Sequence, residues 1–225
     1  MLDVACGTGE ISRRVSQAFP RARVFGLELH TPHMRLGRTQ AGGDAVRFVT
    51  GDAFRLPFPD GTFDLAMCRH TLQALPEPDQ VVAEMRRVTR AGGFLHILAE
   101  DYAMMHFAPT ELDCDLFWHR GPMRFAAATG TDLRIGRAMP KLLHDLGLTN
   151  FRLHYLIVDT LRVPREVIAR IWEAWRDGYA EGIAAHTDLS LEETLAYFND
   201  MLACLRRPDG YMVWQVPVLS VRVPG

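Results

Sequence analysis

Lysine is almost missing: Lys141 is the only one in 225 residues, and arginine carries nearly all the side-chain positive charge. That confines lysine Schiff-base chemistry to a single position. Lys141 sits beside an expected helix start and reads as a solvated charge. The arginine bias itself reads as genomic base composition. Cysteine is also sparse. Cys6, Cys68, Cys114 and Cys204 are scattered, with no Cys-x-x-Cys pair, so they read as reduced thiols and give neither a disulfide framework nor a metal site. No apolar run is long enough to cross a bilayer and no secretory leader pattern is present, so a cytoplasmic protein without a membrane partner is expected. Charge of one sign is lacking too. The formal net charge is −2, which leaves no basic footprint for nucleic acid. Hydrophobic content of 48% and charged content of 23% are ordinary for a globular chain, and the length suits one domain, 1–225, with a full core.

What is present begins at once. Leu2-Asp-Val-Ala-Cys-Gly-Thr-Gly-Glu10 is an apolar start ending in Gly7-x-Gly9, and a helical pattern follows through Ile11, Val15 and Ala18. This is strand, glycine turn, helix, the order in which α/β folds hold cofactors. Glycine lets the backbone approach a ligand, and the helix N-terminus offers free N–H groups. Glu28 ends the next apolar run about 20 residues later, where an acid meets a ribose diol. A dinucleotide fingerprint has a third glycine where this chain has Ser12, and no Gly-Lys-Ser/Thr follows, so neither the dinucleotide nor the P-loop pattern is complete.

The stretch Asp3-Val4-Ala5-Cys6-Gly7-Thr8-Gly9 resembles motif I of the class I S-adenosylmethionine (SAM)-dependent methyltransferases, with Ala5 where many members carry a first glycine. Gly51-Asp52-Ala53, then Leu56-Pro-Phe-x-Asp60, then Phe63-Asp64 resembles the middle signature of that family's small-molecule branch. The resemblance covers roughly the first half of the chain. It implies SAM as cofactor, with Asp3, Ala5, Cys6, Gly7 and Gly9 forming its loop. It also implies Glu28 on the ribose with Leu29 beside it, and Asp52 on the adenine amino group with Ala53 and Phe54 along the ring. Cys68, Arg69 and His70 would line the methionine end. Alone, Asp52 reads equally as a turn cap after a strand. Members usually carry a helical segment before motif I, whereas Met1 here lies inside the first strand. The resemblance therefore implies an upstream start or the loss of that piece.

Strands are expected at Val24–Glu28, Val46–Thr50, Phe63–Cys68 and Phe94–Ala99. Helices are expected to Phe19, from Thr31 to near Gly42-Gly43, and from Asp79 to Thr89. Such alternation predicts a Rossmann-like, doubly wound seven-stranded sheet, parallel except for its last strand. After Tyr102 the alternation stops. Residues 104–129 are rich in Met, Phe, Trp and His without a clear period until a helix over Leu133–Leu146. Strands six and seven, Phe151–Thr160 and Tyr211–Val221, are separated by two helices, Pro164–Ala185 and Ser190–Arg206, where the resembled family has a short hairpin. Residues 101–130 are read as a lid over the substrate, and 162–209 as a helical insertion that adds cover and a candidate homodimer surface.

Methyl transfer from a sulfonium is an in-line displacement, and a base is needed only for an acceptor that starts protonated. His70, just past strand four, is the best-placed base; the competing reading is a histidine satisfied by backbone. Asp101 and His106 follow strand five as further candidates, with Glu100 and Tyr102 beside them. Glu100-Asp101 reads equally as a turn cap. Asp113-Cys114-Asp115 with His119 fits a capped helix better than any metal loop. Trp172, Trp175 and Tyr179 recur at helical spacing, as core or as an aromatic wall for the acceptor. Arg86-Arg87 and Arg206-Arg207 read as solvated faces. The absence of Asn-Pro-Pro-Tyr after strand four and of a Pro-Cys pair argues for a small-molecule acceptor, with oxygen first and nitrogen or carbon behind. The rival reading is a catalytically silent SAM-fold subunit. An NAD(P)-dependent reductase fails on Ser12 and on the lack of Tyr-x-x-x-Lys.

Overall fold

The computed structural model describes residues 1–40 and 46–225. The expected fading of the second helix at Gly42-Gly43 lies outside the described residues. The first five strands are β1 (Leu2–Val4), β2 (Val24–Glu28), β3 (Val46–Thr50), β4 (Phe63–Arg69) and β5 (Thr89–Leu98). Between them run α1 (Glu10–Ala18), α2 (Thr31–Gln40) and α3 (Pro78–Val88). These strands pair in parallel in the order β3-β2-β1-β4-β5. The chain order reverses between β1 and β4, which opens a crevice at their C-terminal ends, where such folds bind ligands.

The described residues hold eight strands rather than seven. The additional one is β6 (Met105–Ala108), whose four residues are too few for alternation to show in sequence. Then come α4 (Cys114–Arg120), α5 (Pro122–Ala128), α6 (Ile135–Asp145), β7 (Phe151–Asp159), α7 (Arg165–His186), α8 (Leu191–Arg206) and β8 (Tyr211–Arg222). β8 runs antiparallel to three partners. β7 takes one edge along Val213–Val221, while β5 and β6 share the other. Gly92-Gly93 lies inside β5, at a register shift opposite Phe63 and Leu65, with Gly92 at φ 73°.

Local chemistry explains the ends. Pro78 and Asp79 open α3, where a missing N–H and a negative charge suit the first turn. Ser190 and Glu193 form a capping box on α8. Asp113 accepts from the Leu116 N–H and caps α4, the helix reading of that acidic stretch. Lys141 lies within α6 and pairs with Asp145 one turn on. Arg87 is no solvated charge. It bridges Glu84 and Asp60 and donates to the Leu56 and Phe58 carbonyls, so it ties down the Leu-Pro-Phe turn. Arg86 donates to the Leu146 carbonyl, and Arg206 pairs with Glu173 of α7.

Two apolar cores result. One fills the space between the sheet and α3 and α6, around Leu2, Leu95, Met85 and Met139. The other lies under α4, α7 and α8, around Phe117, Trp172, Phe198 and Met212. β8 contributes to both, through Leu219 and Val221 to the first and Met212 and Val216 to the second. The opposite sheet face is open over β4, β5 and β8, as a groove of about 1290 Å³ lined by Met67, Arg69, Phe94, His96 and Val218. That is the largest concavity described, yet neither Glu28 nor His70 lines it.

Candidate active site

The glycine loop is held from three sides. The Cys6 N–H donates to the Leu27 carbonyl at 2.9 Å, and the Gly7 N–H donates to Glu28 Oε2 at 2.9 Å. Glu28 Oε1 accepts the His30 N–H at 3.0 Å, so one buried carboxylate clamps the loop after β1 to the loop after β2. Packing explains the glycines nearby. A Cβ on Gly9 would stand 2.5 Å from Phe48, and one on Gly37 would stand 2.5 Å from the Thr8 carbonyl oxygen. Gly7 differs: at φ +56° it faces open space, with nothing within 4 Å of where a Cβ would stand. That uncovered backbone beside a buried carboxylate fits a cofactor's sugar and amino-acid end. Leu29, 57% exposed, extends the surface as an apolar shelf.

Ala5 takes the left-handed region at φ 55°, which costs an L side chain about 1–2 kcal/mol. Ala5→Gly relieves that strain while adding roughly 0.5–1 kcal/mol of chain entropy to lose. A melting temperature raised by about 2–4 °C at most is expected, as 1 kcal/mol gives in a chain this size. A lower one would show that the methyl group packs usefully.

Asp3 is buried, and its Oδ2 accepts the Ser12 hydroxyl at 2.5 Å. Ser12 is itself fully buried, so the residue standing where a third glycine was sought fastens α1 to β1. Burial pushes the Asp3 carboxyl up to about 6, against the Ser12 hydrogen bond and the Arg69 charge. Asp52 Oδ1 accepts the Phe54 N–H at 2.9 Å, which is the turn-cap arrangement, and the residue stays exposed. Ala53 and Phe54 pack against the first core.

Strand alternation separates two expected neighbours of His70. Cys68 is fully buried in the first core, and burial pushes its thiol up to about 12. Arg69, one residue on, turns to the opposite face and lines the open groove. Neither side chain joins the crevice. His70 does, at the end of β4, with φ 54°. A non-glycine residue in that region marks a position that its surroundings over-determine, and such positions cluster at functional sites.

The partner of His70 is Glu100, just past β5. His70 Nδ1 bonds Glu100 Oε1, and the carboxylate is 1% exposed while the imidazole is half exposed. Against a carboxylate, Nδ1 carries the hydrogen, which leaves the lone pair on Nε2. The Gly136 N–H donates to the Glu100 carbonyl, and a Cβ on Gly136 would stand 2.6 Å from the Ala99 carbonyl oxygen, so the start of α6 is fitted against this turn. The neighbouring Asp101 is occupied otherwise. Both of its oxygens accept from Arg137, at 2.5 and 3.0 Å, and Oδ1 also takes the Ala103 N–H. That is the turn-cap reading with an arginine added. His106 lies on β6 with its Nδ1 on Asp115 at 3.0 Å, at the exposed surface.

A partly open cavity of about 240 Å³ is walled by Tyr102, Trp118, Phe125, Trp175, Tyr179 and Phe198, with Gln73 at one side. The Tyr102 ring lies 5.6 Å from that of Trp214, which in turn is 6.5 Å from the His70 ring. Burial, with Glu100 and Tyr179 nearby, raises the Tyr102 phenol well above its ordinary range.

Residues 2–97 match the methyltransferase domain family. Over these residues, under half of the chain, the similarity is to methyltransferase domains of the class I, SAM-dependent kind. The demethylmenaquinone methyltransferase of Deinococcus radiodurans is 36% identical over 100 residues, 44% of this chain and 42% of that protein. The ubiquinone/menaquinone biosynthesis C-methyltransferase UbiE of Hahella chejuensis is 35% identical over 103 residues, 44% of this chain and 41% of that protein. The chain thus spans less than half the length of these curated relatives. A structure of phosphoethanolamine N-methyltransferase 2 from Haemonchus contortus with S-adenosyl-L-methionine superposes with a TM-score of 0.61 at 17% identity, covering 100% of this chain and 48% of that one. The [4+2]-cyclase SpnF superposes with a TM-score of 0.56 at 23% identity, covering 99% and 74%. Both show the same fold.

The matched segment holds Gly7, Glu28 and the parallel strands, but not most of the cavity walls. Tyr102, Trp118, Trp175 and Tyr179 all lie after residue 97. Sequence reasoning did not assemble this cavity, because its walls come from four separate segments. Helical spacing placed Trp175 and Tyr179 together; nothing local joined them to Trp118 or Gln73.

Proposed function

We propose that the chain transfers a methyl group from SAM to an oxygen of a small-molecule acceptor, with His70 as general base. The observation that carries this is the His70–Glu100 pair at the ends of β4 and β5, its imidazole beside Trp214, whose ring also meets Tyr102 of the aromatic cavity. Bound SAM supplies a sulfonium methyl group for in-line displacement. Gly7 offers an open backbone to the cofactor, Glu28 its carboxylate to the ribose hydroxyls, and Asp52 its exposed carboxylate to the adenine amino group. His70 Nε2 takes the acceptor's hydroxyl proton as the oxygen attacks, while Glu100 holds the ring by Nδ1. Residues 101–130 and 162–209 enclose the acceptor and keep water out.

The relative named for carbon methylation matches over 44% of this chain, so its acceptor carries little weight here. A neighbour named as a cyclase supports keeping a second reading, a SAM-fold protein that binds without methyl transfer. The His70–Glu100 hydrogen bond and the aromatic cavity favour transfer.

Calorimetric titration with S-adenosylhomocysteine, with NADH as control, tests the cofactor. Binding of the first alone is expected. Glu28→Ala should weaken it by roughly 1–3 kcal/mol, as loss of a hydrogen-bonded charge does. Unchanged affinity would remove Glu28 from the site.

A further inference from the structure

Strand β7 is paired on one side only. Its nine residues, Phe151–Asp159, follow β8 in an unbroken register, and among the described residues no strand takes the other edge. One bond shows which backbone groups that edge leaves open. The Thr160 N–H donates to the Met212 carbonyl, in continuation of the register, so the even-numbered residues turn their N–H and C=O groups towards β8. The odd-numbered Phe151, Leu153, Tyr155 and Ile157 therefore point theirs outward. Asp159 agrees with this alternation, because its carbonyl accepts the Arg162 and Val163 N–H groups and no strand partner.

Open edges are normally blunted by brevity, a bulge, proline or lysine. β7 carries none of these. By contrast β3, at the far end of the sheet, has only five residues. Three side chains of β7 are large, apolar and in contact with solvent: Leu153 is 39% exposed, Tyr155 47% and Leu156 49%.

We infer that β7 pairs antiparallel with β7 of a second copy of this chain, about a two-fold axis at Tyr155. A loose peptide would first have to be ordered, whereas a second β7 is already extended on its own β8. Register decides for self-pairing. Outward-facing residues must meet one another, so Tyr155 meets the partner's Tyr155 and Leu153 the partner's Ile157. Between these, Arg152 meets the partner's Val158 and His154 the partner's Leu156. No two charged groups face each other, and each of the three exposed apolar side chains gains a cross-strand neighbour. An axis at His154 also matches outward residues, but it sets two imidazoles face to face and shortens the ladder. The contact closes on itself and stops at two copies. It lies on a strand edge, not on the helical insertion, and is independent of the methyl acceptor.

The test is sedimentation equilibrium of the full chain. A mass of twice 25.4 kDa is expected. A monomer throughout the micromolar range would overturn the proposal. Tyr155→Lys sets two ammonium groups opposite each other and should weaken the dimer at least about tenfold. Tyr155→Pro removes one outward N–H from each copy, which an edge strand tolerates, and should weaken it about as much. Melting curves check that both variants fold. Cross-linking then reads the register with Tyr155 intact. His154 and the partner's Leu156 form a non-hydrogen-bonded pair, with Cα atoms about 4.5 Å apart and so within disulfide reach. On oxidation, His154→Cys chains mixed with Leu156→Cys chains should form a disulfide between positions 154 and 156. A dimer undiminished in a folded Tyr155→Lys chain would overturn the proposal, as would a mixture lacking that disulfide. If neither Tyr155 variant folds, the disulfide alone decides.

Discussion

Replacing His70 with alanine lowers methyl-transfer turnover by about 10²–10⁴-fold, the range for a positioned general base, and leaves the S-adenosylhomocysteine isotherm unchanged. The expectation rests on geometry. His70 is the imidazole that bonds the buried Glu100, and it does so at the mouth of the crevice. Glu100→Gln should cost a comparable factor, although it preserves shape. An amide can donate to Nδ1, and the ring then presents Nε2–H, which cannot take a proton. If the two side chains act as one unit, the double variant loses little more than either single variant. Additive losses would separate them. Wild-type turnover in His70→Ala would remove the base from the mechanism and favour an acceptor that needs none. A weakened cofactor isotherm would show that His70 binds rather than reacts.

A second large effect concerns stability. The Asp3 carboxyl, at about 6 in the folded chain, has an ordinary value of 3.8 when exposed. The folded state therefore holds more protons than the unfolded state between those values, and stability falls as pH rises through that window. Below about pH 3 both states are protonated and the contribution is full; above about pH 7 it is gone. Two units at 1.36 kcal/mol each make the difference about 3 kcal/mol. Asp3→Asn removes the titration and keeps an oxygen for the Ser12 hydroxyl. The gap in unfolding free energy between variant and wild type, from urea melts across this range, should widen in the variant's favour by about 3 kcal/mol from about pH 3 to about pH 7. A gap independent of pH would show that Asp3 titrates normally. The same melts at fixed pH would show whether the variant still binds S-adenosylhomocysteine, and so whether Asp3 has more than a fastening role.

The first half of the chain was legible because each element there has its own local marks. An alternating or continuous apolar run ends at Gly7, Glu28 or Gly51, and helices open beside Thr31-Pro32 or Pro78-Asp79. Strands β1 to β4 fall within about a residue of expectation, since glycines and prolines punctuate them. Side-chain direction at strand ends was less accessible. Cys68, Arg69 and His70 are adjacent in sequence, yet alternation sends one into the core, one into the groove and one into the crevice. Choosing between Glu100 and Asp101 failed for a related reason. Both are acids in the same turn, and only the position of Arg137, on a helix far along the chain, engages Asp101. The stretch 104–129 gave no period because three short elements with different geometries share it. The start of the helix at Ser190, by contrast, rests on local chemistry, a capping box with Glu193.

One topological feature bears on how such a protein can change. α7 and α8 are threaded through the tip of the β7–β8 hairpin, and the chain leaves and returns at neighbouring points. Asp159 pairs with Val213, and the Thr160 N–H donates to the Met212 carbonyl. The two helices supply Trp175, Tyr179 and Phe198 to the cavity, while Gly7 and Glu28 lie wholly outside them. On the proposed function, cofactor capture and acceptor choice are therefore physically separable inheritances. A different helical pair spliced at Thr160 and Gly210 would bring a new acceptor wall without disturbing a single parallel strand. The hairpin tip is the place at which a library of substrate specificities could be grafted onto one unchanging methyl-donor half.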